Sequence, residues 1–482
     1  MTKSNPSKLL LLFLFGAVAA MGASAQTFKT LVRFNGDNGA FPRSALTQGP
    51  DGRLYGTTTS GALQSNGWGT LFATDASGHL TTLVNFDNGL KGAGTINSPL
   101  LLTPDGTFFG ASPQAFYELT GNGKLKVDAQ YPPGADAGGP VAEGIDGDIY
   151  GVTLEGGDPD CGEVGCGTAY KIDRKGHDDL LVTFGDGNNS LFPVGATLGD
   201  DGYIYLITGS QADDVYGQVL RMTPTGALAT LYDFCSQPNC ADGDVPFDLI
   251  QGSDGNLYGV TYLGGTCGGN FILDQGCGTV FRLSLSGEYT VLHTFCTETP
   301  CSDGAEPVWL IEGSDGALYG ITQYYGDLDC QHPYGCGTIF RVTKSGVFTS
   351  LYQFHPGDGL LPRGLTQATT GLFYGVQYWD LGVGCSLTEY WGCGTVFSLN
   401  IGLPPFVSVV QGFGKPGVSD SIIGQGFTGA TEVAFNGIPA TFTVVSDTFL
   451  ETTIPQGATT GYVTVTTPSG VLKSNVPFHV IK

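Results

Sequence analysis

The chain has 482 residues, of which 41% are hydrophobic, only 13% are charged and 77 are glycine. This composition is too apolar for a disordered chain and suits many short strands joined by tight turns. The formal net charge of −24 disfavours nucleic acid phosphates and anionic membrane surfaces as partners.

The first 25 residues have the three parts of a secretory signal. Lys3 and Lys8 give a positive start, residues 9–20 are apolar, and Ala23-Ser24-Ala25 is a small-residue cleavage pattern. The alternative is an N-terminal membrane anchor, but the apolar run is shorter than the ~20 residues that span a bilayer. We therefore expect residues 1–25 to be removed, no membrane span in the remainder, and a secreted protein, either extracellular or periplasmic.

A short apolar run that ends in an aromatic residue, usually followed by glycine, recurs seven times after the signal. The aromatic positions lie 41 to 61 residues apart, at Tyr55, Phe109, Tyr150, Tyr205, Tyr258, Tyr319 and Tyr374. The first six copies have the pattern of four short strands and carry an Asp-Gly turn before the run. Four strands in a period of about 50 residues are typical of a propeller blade. The sequence therefore predicts an all-β, seven-bladed β-propeller over residues 26–403.

The seventh copy ends at Leu399 and lacks its outermost strand. Residues 28–34, just after the signal, match the outer-strand pattern of the other copies. We expect this segment to complete the last blade and close the ring without an exposed edge. A β-sandwich and an open β-solenoid are the alternative architectures.

The copies resemble the GloVer-type tandem repeat of secreted bacterial proteins. The resemblance rests on runs such as DGNLYG at residues 254–259 and GTVF at residues 278–281, and it covers roughly residues 27–400. It implies a secreted or surface protein and brings no catalytic residues with it.

Residues 404–482 are predicted to form a second domain, because Pro404-Pro405 is typical of a linker and the repeat stops there. Strand and turn patterns alternate through SIIGQGF (421–427), VAFNG (433–437) and GYVTVT (461–466). Their order resembles an IPT/TIG domain, which implies an immunoglobulin-like β-sandwich. In an exported acidic chain, the resemblance implies a spacer or an interaction module.

The cysteines all fall into close sequence pairs, which are Cys161/Cys166, Cys235/Cys240, Cys267/Cys277, Cys296/Cys301, Cys330/Cys336 and Cys385/Cys393. In an exported chain this spacing predicts six disulfides. The alternative is zinc, which needs four ligands from two pairs, and the six histidines are too scattered to help. We therefore predict no metal site and no cofactor. Every pair lies in a loop that belongs to the same face of the propeller.

Two sets of residues are candidate binding positions. Aromatic residues in the long loops of the last two copies could stack on sugars or anchor a protein, and they are Tyr324, Tyr325, Trp379, Tyr390 and Trp391. Polar residues on the innermost strands are expected to line the channel, and they are Gln48, Glu143, Gln251, Glu312 and Gln367. The alternatives are aromatic packing onto neighbouring loops and a hydrated lining without a ligand.

No nucleophile elbow, phosphate loop or metalloprotease motif occurs, so the sequence predicts no catalytic residues. We expect a non-catalytic binding or adhesion protein whose disulfide-bearing face contacts a glycan or an extracellular protein. The alternatives are a polysaccharide-active propeller lyase or hydrolase, and a structural component of the cell envelope. The long loops hold an acidic set that could attract calcium, although no ligand motif supports it, consisting of Asp158, Asp160, Glu163, Asp213, Asp214, Asp327 and Asp329.

Overall fold

A computed structural model describes residues 26–61, 67–86, 98–112, 115–120, 124–130, 139–157, 165–185, 191–210, 216–267, 276–330, 334–380, 385–387 and 392–481. The predicted signal, residues 1–25, lies outside the described residues. Within these ranges the elements are strands, apart from a single 3-10 turn at Pro238–Cys240. None of the helical structure described here is long and apolar enough to cross a membrane.

Seven antiparallel sheets form a seven-bladed propeller, as predicted. The innermost strands of blades 1 to 7 are β2 (Ala40–Pro42) with β3 (Thr47–Gln48), β7 (Leu101–Leu102), β11 (Ala142–Glu143), β15 (Leu191–Leu198), β19 (Asp244–Gln251), β23 (Ala305–Glu312) and β27 (Leu360–Gln367). The second strands are β4 (Leu54–Ser60), β8 (Phe108–Ala111), β12 (Ile149–Thr153), β16 (Ile204–Ser210), β20 (Leu257–Leu263), β24 (Leu318–Tyr324) and β28 (Phe373–Trp379).

The outer half of each blade repeats the same order. The third strands are β5 (Thr70–Thr74), β9 (Ala115–Leu119), β13 (Thr168–Ile172), β17 (Gln218–Met222), β21 (Thr279–Leu283), β25 (Thr338–Val342) and β29 (Thr395–Asn400). The outermost strands are β6 (Leu80–Asn85), β10 (Leu125–Gln130), β14 (Asp178–Thr183), β18 (Leu228–Asp233), β22 (Tyr289–Thr294), β26 (Phe348–Gln353) and, for blade 7, β1 (Thr27–Arg33).

The ring closes through β1, which pairs antiparallel with β29 from Thr27 opposite Asn400 to Arg33 opposite Thr395. The prediction that the N-terminal segment completes the seventh blade is therefore confirmed. Phe28 stacks on Tyr352 of blade 6 with ring centroids 4.4 Å apart. The closing strand thus packs against the neighbouring blade as well as pairing within its own.

The alternation of strands gives the propeller two unlike faces. The turn face carries the hairpins between first and second strands, which include the six Asp-Gly turns. The loop face carries the connections between second and third strands and those between successive blades. The first residues of each innermost strand and the last residues of each second strand therefore lie at the loop face.

The recurrent aspartate and tyrosine hold the turn face together. Within five blades the tyrosine hydroxyl donates to the aspartate four residues earlier, at 2.7 to 3.0 Å, in the pairs Tyr55–Asp51, Tyr150–Asp146, Tyr205–Asp201, Tyr258–Asp254 and Tyr319–Asp315. These aspartates also accept the backbone N–H two residues on, as at Asp51 and Arg53. The aspartate of the repeat is a turn residue, as its sequence context predicts.

Aromatic pairs join successive blades. A phenylalanine that follows an outermost strand packs edge to face on one in the third strand of the next blade, with centroids 5.1 to 5.3 Å apart, in the pairs Phe34–Phe72, Phe234–Phe281, Phe295–Phe340 and Phe354–Phe397. Such pairs add about 0.5–1.5 kcal/mol each beyond the area they bury. A Cβ at Gly278 would collide with Pro307 of the next blade, which explains the glycine before this third strand.

The remaining strands lie after residue 400. They are β30 (Ser408–Val409), β31 (Phe413–Gly414), β32 (Ser419–Ile423), β33 (Glu432–Phe435), β34 (Ile438–Val444), β35 (Phe449–Thr453), β36 (Val463–Thr467), β37 (Gly470–Lys473) and β38 (His479–Val480). Seven of them form one sheet in the order β30-β32-β35-β34-β33-β36-β37, and β31 pairs with β38. Phe427, Phe435 and Leu450 lie at the centre of their shared core.

These C-terminal strands pack on the turn face of the propeller. Three of their side chains donate to carbonyl oxygens of the turn-face hairpins, with Thr448 bonding Pro50 at 2.6 Å, Ser421 bonding Pro104 at 2.6 Å and Gln425 bonding Thr369 at 2.8 Å. Ile423 and Phe449 enter a core cluster with Tyr55 and Phe108 of the propeller. The C-terminal segment therefore covers part of the turn face.

Candidate functional site

The five polar residues predicted to line the channel form contacts at the turn face. Four of them bond a residue in the hairpin between the first and second strands of the preceding blade. The pairs are Gln48–Thr369, Gln251–Asp200, Glu312–Ser253 and Gln367–Ser314. In each pair a backbone N–H donates to the side-chain oxygen at 2.7–2.8 Å. These residues link neighbouring blades, and a role in lining the channel stays a prediction.

Glu143 is the fifth member and has a different partner. The preceding blade offers Pro104, which has no N–H, and Glu143 instead accepts from Arg174 Nη2 at 2.5 Å. Burial raises the pKa of Glu143 and Arg174 opposes the rise. A cleft of about 430 Å³ lies nearby between the propeller and the C-terminal strands, and Asp105 and Asp420 contribute to its lining. This end of the molecule is a junction between two parts of the chain.

The disulfides lie on the loop face. Five of the six predicted pairs are bonded, namely Cys235–Cys240, Cys267–Cys277, Cys296–Cys301, Cys330–Cys336 and Cys385–Cys393. Cys166 is also disulfide-bonded, and its predicted partner Cys161 lies outside the described residues. Each bond closes a connection between second and third strands or between blades, so the loops of this face are cross-linked.

The aromatic residues predicted to bind a ligand differ in burial, and two of them are not described. Tyr324 is half-buried at the end of β24, and Trp379 is half-buried beside Tyr378, with ring centroids 5.2 Å apart. Tyr325 is only 8% exposed and belongs to a core cluster, so its ring is packed in the interior and its role in binding stays a prediction. Tyr390 and Trp391 lie outside the described residues.

Of the seven predicted loop acids, the structure describes two. Asp158, Asp160, Glu163, Asp213 and Asp214 lie outside the described residues. Asp327 accepts from His355 Nδ1 at 2.6 Å, and Asp329 donates its backbone N–H to Asp327 at 2.9 Å. Among the residues that the structure describes, no three His, Cys, Asp or Glu side chains come together as a metal site requires.

A cluster of which the sequence analysis singled out only Tyr324 lies at the loop face of blades 5, 6, 7 and 1. It contains the first residues of innermost strands and the last residues of second strands, and its members are Tyr262, Glu306, Gln323, Tyr324, Arg363, Tyr378 and Arg43. We call this set the loop-face cluster. It brings a carboxyl group, two guanidinium groups, one amide and three phenol rings to one end of the propeller.

Glu306 is the acidic member of the loop-face cluster. Its side chain is 2% exposed, and burial raises its pKa to about 6, opposed by a hydrogen bond with Tyr262 and by the charge of Arg363. Its Oε2 has no hydrogen-bond partner among the described residues. A buried carboxyl group with a raised pKa and a free oxygen is suited to proton transfer near neutral pH.

Arg363 and Arg43 are the cationic members. With the Gln323 amide oriented to satisfy both groups, its oxygen lies 2.7 Å from Arg363 Nη1 and 2.9 Å from Nη2 and Nε. Arg43 lies over the ring of Tyr378 at 4.9 Å, and its Nη2 is 3.4 Å from the Tyr378 hydroxyl. Burial, together with the charge of Arg43, lowers the pKa of Arg363.

Exposed apolar side chains also occur on the loop face. Five large ones belong to loop-face positions and are 37–50% exposed, and they are Trp68, Tyr216, Phe247, Leu328 and Leu387. The Phe247 ring lies 5.7 Å from the ring of Tyr262, which joins this set to the cluster. Aromatic faces next to polar hydrogen-bonding groups are the usual components of a sugar-binding surface.

Two sequence signals could have revealed this cluster. Pro42-Arg43 and Pro362-Arg363 stand at the same place in two innermost strands, and Glu306 precedes the proline at that place in a third. Only alignment of the copies strand by strand makes the coincidence visible. A search for catalytic motifs misses it because the residues come from different blades.

Comparison with known proteins gives the family. The pattern of the Gloeobacter/Verrucomicrobia repeat matches residues 136–397, which is more than half of the chain. The protein belongs to this family. No curated protein matches the sequence of this Gloeobacter/Verrucomicrobia repeat protein significantly.

Solved structures with the same propeller architecture include three lyases. A streptogramin B lyase is 18% identical, with a TM-score of 0.51 over 78% of this chain and 97% of that chain. Virginiamycin B lyase from Staphylococcus aureus is 16% identical, with a TM-score of 0.52 over 78% and 99%. An oligogalacturonate lyase from Vibrio parahaemolyticus is 11% identical, with a TM-score of 0.51 over 78% and 96%.

These structures correct the prediction that the protein is not an enzyme. The prediction rested on the lack of a recognisable motif, yet the Gloeobacter/Verrucomicrobia repeat protein shares its fold with proteins named as lyases. A non-catalytic adhesion role is therefore unsupported. At identities of 11–18% the likeness establishes the fold, and the reaction has to be argued from the residues of this chain.

Proposed function

We propose that this protein is a polysaccharide-active enzyme that cleaves glycosidic bonds at the loop face, with Glu306 as the proton-transfer group. One observation carries the proposal. Glu306 is buried and has a pKa raised to about 6, and its Oε2 has no partner among the described residues. Burial of a carboxyl group without a full set of partners costs free energy, so it is expected where the group has a chemical task.

Glycosidic cleavage requires a proton to reach the leaving oxygen. In hydrolysis, water gives its hydroxyl to the anomeric carbon and its proton to that oxygen. In elimination, a proton leaves a ring carbon, the carbon–oxygen bond breaks, a carbon–carbon double bond forms and the leaving oxygen gains a proton. A carboxyl group with a pKa near the working pH can carry the proton in either reaction.

Tyr262 supports this role of Glu306. It forms a hydrogen bond with the carboxyl group and lies on the neighbouring blade, at the end of β20. Burial and the nearby Glu306 charge raise the tyrosine pKa strongly, so its hydroxyl keeps its proton at neutral pH. The pair therefore provides one group that titrates near neutrality and one that stays a hydrogen-bond donor.

The surroundings of the loop-face cluster suit a polymer substrate. Trp68 and Phe247 are 39% exposed and offer apolar faces to sugar rings. Phe247 lies on β19, directly after the loop closed by the Cys235–Cys240 disulfide, so its position costs little ordering on binding. The C-terminal contacts of the described residues are with the turn face, which leaves the loop face for a polymer in this proposal.

The rest of the sequence gives this enzyme its setting. We propose export through a signal at residues 1–25, a propeller domain at residues 26–403 and an IPT/TIG domain of immunoglobulin-like fold at residues 404–482. The bonded cysteine pairs support an oxidising compartment outside the cytoplasm. The contacts of the C-terminal strands with turn-face hairpins support a role for that domain in holding the propeller.

A polysaccharide panel tests the proposal. Purified, oxidised protein is incubated with neutral and acidic polymers, and both new reducing ends and the ultraviolet absorbance of unsaturated products are measured. We expect cleavage of at least one polymer and a loss of about 10²-fold or more in Glu306→Gln. Glu312→Gln is the matched control, because Glu312 lies on the same strand and is also buried, but bonds Ser253 at the turn face.

Cleavage that is lost in Glu306→Gln and retained in Glu312→Gln would support the proposal. If the wild-type protein cleaves none of the polymers, or if Glu306→Gln cleaves as fast as wild type, the proposal is overturned. Circular dichroism spectra of both variants, compared with wild type, separate a catalytic loss from a folding defect.

A further inference from the structure

We propose that Arg43 and Arg363 together form a binding site for a sugar carboxylate, so that the substrate is an acidic polysaccharide built from uronic acids. The inference rests on the proposed function in one respect, namely that the polymer is a substrate. The anion site itself stands on the geometry of the two arginines.

The two arginines occupy equivalent positions on adjacent blades. Each follows a proline at the start of an innermost strand, after a residue with a left-handed backbone, Phe41 at φ 58° and Leu361 at φ 51°. The strands meet directly, because the Thr366 hydroxyl donates to the Leu46 carbonyl at 2.6 Å. The closed ring thus holds two like-charged side chains side by side.

Neither arginine forms an ion pair at contact distance among the described residues, although the charge of Arg363 reaches Glu306. Arg363 is held by the neutral amide of Gln323, and Arg43 by the phenol of Tyr378. Other arginines of this acidic chain do form ion pairs, at 2.5–2.9 Å, in Arg33–Asp380, Arg53–Asp51, Arg174–Glu143 and Arg341–Asp315. Two guanidinium groups beside the single carboxyl group of Glu306 keep a net positive charge, which attracts an anion from outside the chain.

The chemistry of the neighbours favours a carboxylate on a sugar. Guanidinium groups bind planar carboxylates through two parallel hydrogen bonds. Phenol rings of Tyr262, Tyr324 and Tyr378 lie in the same cluster, where they can pack on a pyranose ring and bond its hydroxyls. Neutralisation of the uronate carboxylate also makes the neighbouring ring C–H more acidic, which favours elimination as the cleavage reaction.

Binding measurements on the full chain test the site. The probes are polygalacturonate, dextran sulfate and neutral dextran, measured by calorimetry at low and moderate salt. We expect polygalacturonate to bind at least about tenfold more tightly than neutral dextran, and both Arg43→Gln and Arg43→Lys to weaken it by about tenfold or more. Arg43 is exposed, so its replacement does not threaten folding as that of the half-buried Arg363 could.

Arg282→Gln is the control variant. It removes one positive charge from β21, and Arg282 bonds Thr290 rather than a carboxylate, so a general charge effect would weaken binding there as well. Equal binding of polygalacturonate and neutral dextran, or equal losses in Arg43→Gln and Arg282→Gln, would overturn the inference. Tighter binding of dextran sulfate than of polygalacturonate would overturn the carboxylate assignment.

The outcomes separate this inference from the proposed function. Cleavage of a neutral polymer through Glu306, without Arg43-dependent binding of polygalacturonate, would leave the function standing and remove the anion site. Arg43-dependent binding without cleavage of any polymer would keep the anion site and remove the enzymatic function.

Discussion

Glu306 owes its position to an uncommon backbone conformation. Its φ is 56°, in the left-handed region that non-glycine residues rarely adopt, and Pro307 follows it. Its N–H donates to the carbonyl of Cys277 at 2.9 Å, which belongs to a disulfide of the preceding blade. Such strain persists only where the surroundings hold it, and here a neighbouring cross-linked loop does so.

Removal of the Tyr262 hydroxyl is predicted to shift the titration of Glu306. The hydrogen bond from Tyr262 lowers the pKa of this carboxyl, as does Arg363, against the larger effect of burial. In Tyr262→Phe the pKa should therefore rise above about 6, and the pH midpoint of the cleavage rate should move to higher pH. Tyr324 and Tyr325 also face Glu306, but both hold their protons in this range.

The measurement is the pH–rate profile of the wild-type protein and the variant. Tyr205→Phe is the control, because Tyr205 bonds Asp201 at the turn face and its loss should leave the midpoint in place. An unchanged midpoint in Tyr262→Phe would refute the assignment of this pH dependence to Glu306.

Among the paired strands of the propeller, β1 and its partner β29 lie farthest apart in the sequence. Phe28 stacks on Tyr352 and lies 5.4 Å from the ring of Phe397. Its partner strand β29 belongs to the same blade, while Tyr352 belongs to blade 6. One side chain therefore stabilises both the closure and the contact between blades.

Phe28→Ala is predicted to destabilise the propeller by roughly 2–4 kcal/mol, since it removes a packed aromatic ring that is only half-buried. Lys29→Ala is the control on the same strand, where the side chain is exposed. Urea unfolding followed by tyrosine fluorescence measures the difference. Equal stabilities of the two variants would mean that β1 does not close the ring as described.

The propeller could be predicted from the sequence because most of its blades repeat the same local signals. The turn aspartate, the tyrosine that bonds it and the deficient seventh copy are all visible without coordinates. The loop-face cluster was not predictable in the same way. Arg43 and Arg363 come from opposite ends of the propeller sequence and meet only because the ring closes. The burial of Tyr325 could not be predicted, because a position in a loop does not report burial.

At the scale of the whole molecule, the propeller and the C-terminal strands meet at buried charged groups. Asp420 is 1% exposed and accepts backbone N–H groups from Ser421 at 2.7 Å and Gln411 at 3.2 Å. Burial raises its pKa to about 7, and the nearby Glu143 adds to the rise. The junction is therefore sensitive to pH near neutrality.

Asp420→Asn is predicted to stabilise the protein above pH 7. The folded-state pKa exceeds the model-peptide value of 3.8, so the stability this group contributes is present at low pH and is lost as the pH rises through about 7. The amide keeps an oxygen for the two N–H donors and carries no charge. We expect a gain on the order of 1 kcal/mol at pH 8 and little change at pH 4.

Thermal unfolding at both pH values measures this effect. Asp447→Asn is the control of opposite sign, because hydrogen bonds from Thr428 and Gly426 lower the pKa of Asp447 and stabilise its charged form. That variant should lose stability at pH 8. A loss of stability at pH 8 in Asp420→Asn would contradict the description of the junction.

The proposed function and the anion site both depend on where a substrate lies, since the molecule offers both the loop face and the cleft at the C-terminal junction. The most direct measurement is a crystal structure of the Glu306→Gln variant bound to an oligosaccharide of a polymer that the wild-type protein cleaves. We predict a sugar carboxylate between Arg43 and Arg363 and a glycosidic bond within hydrogen-bonding reach of position 306. An oligosaccharide bound instead in the cleft beside Asp105 and Asp420 would contradict it.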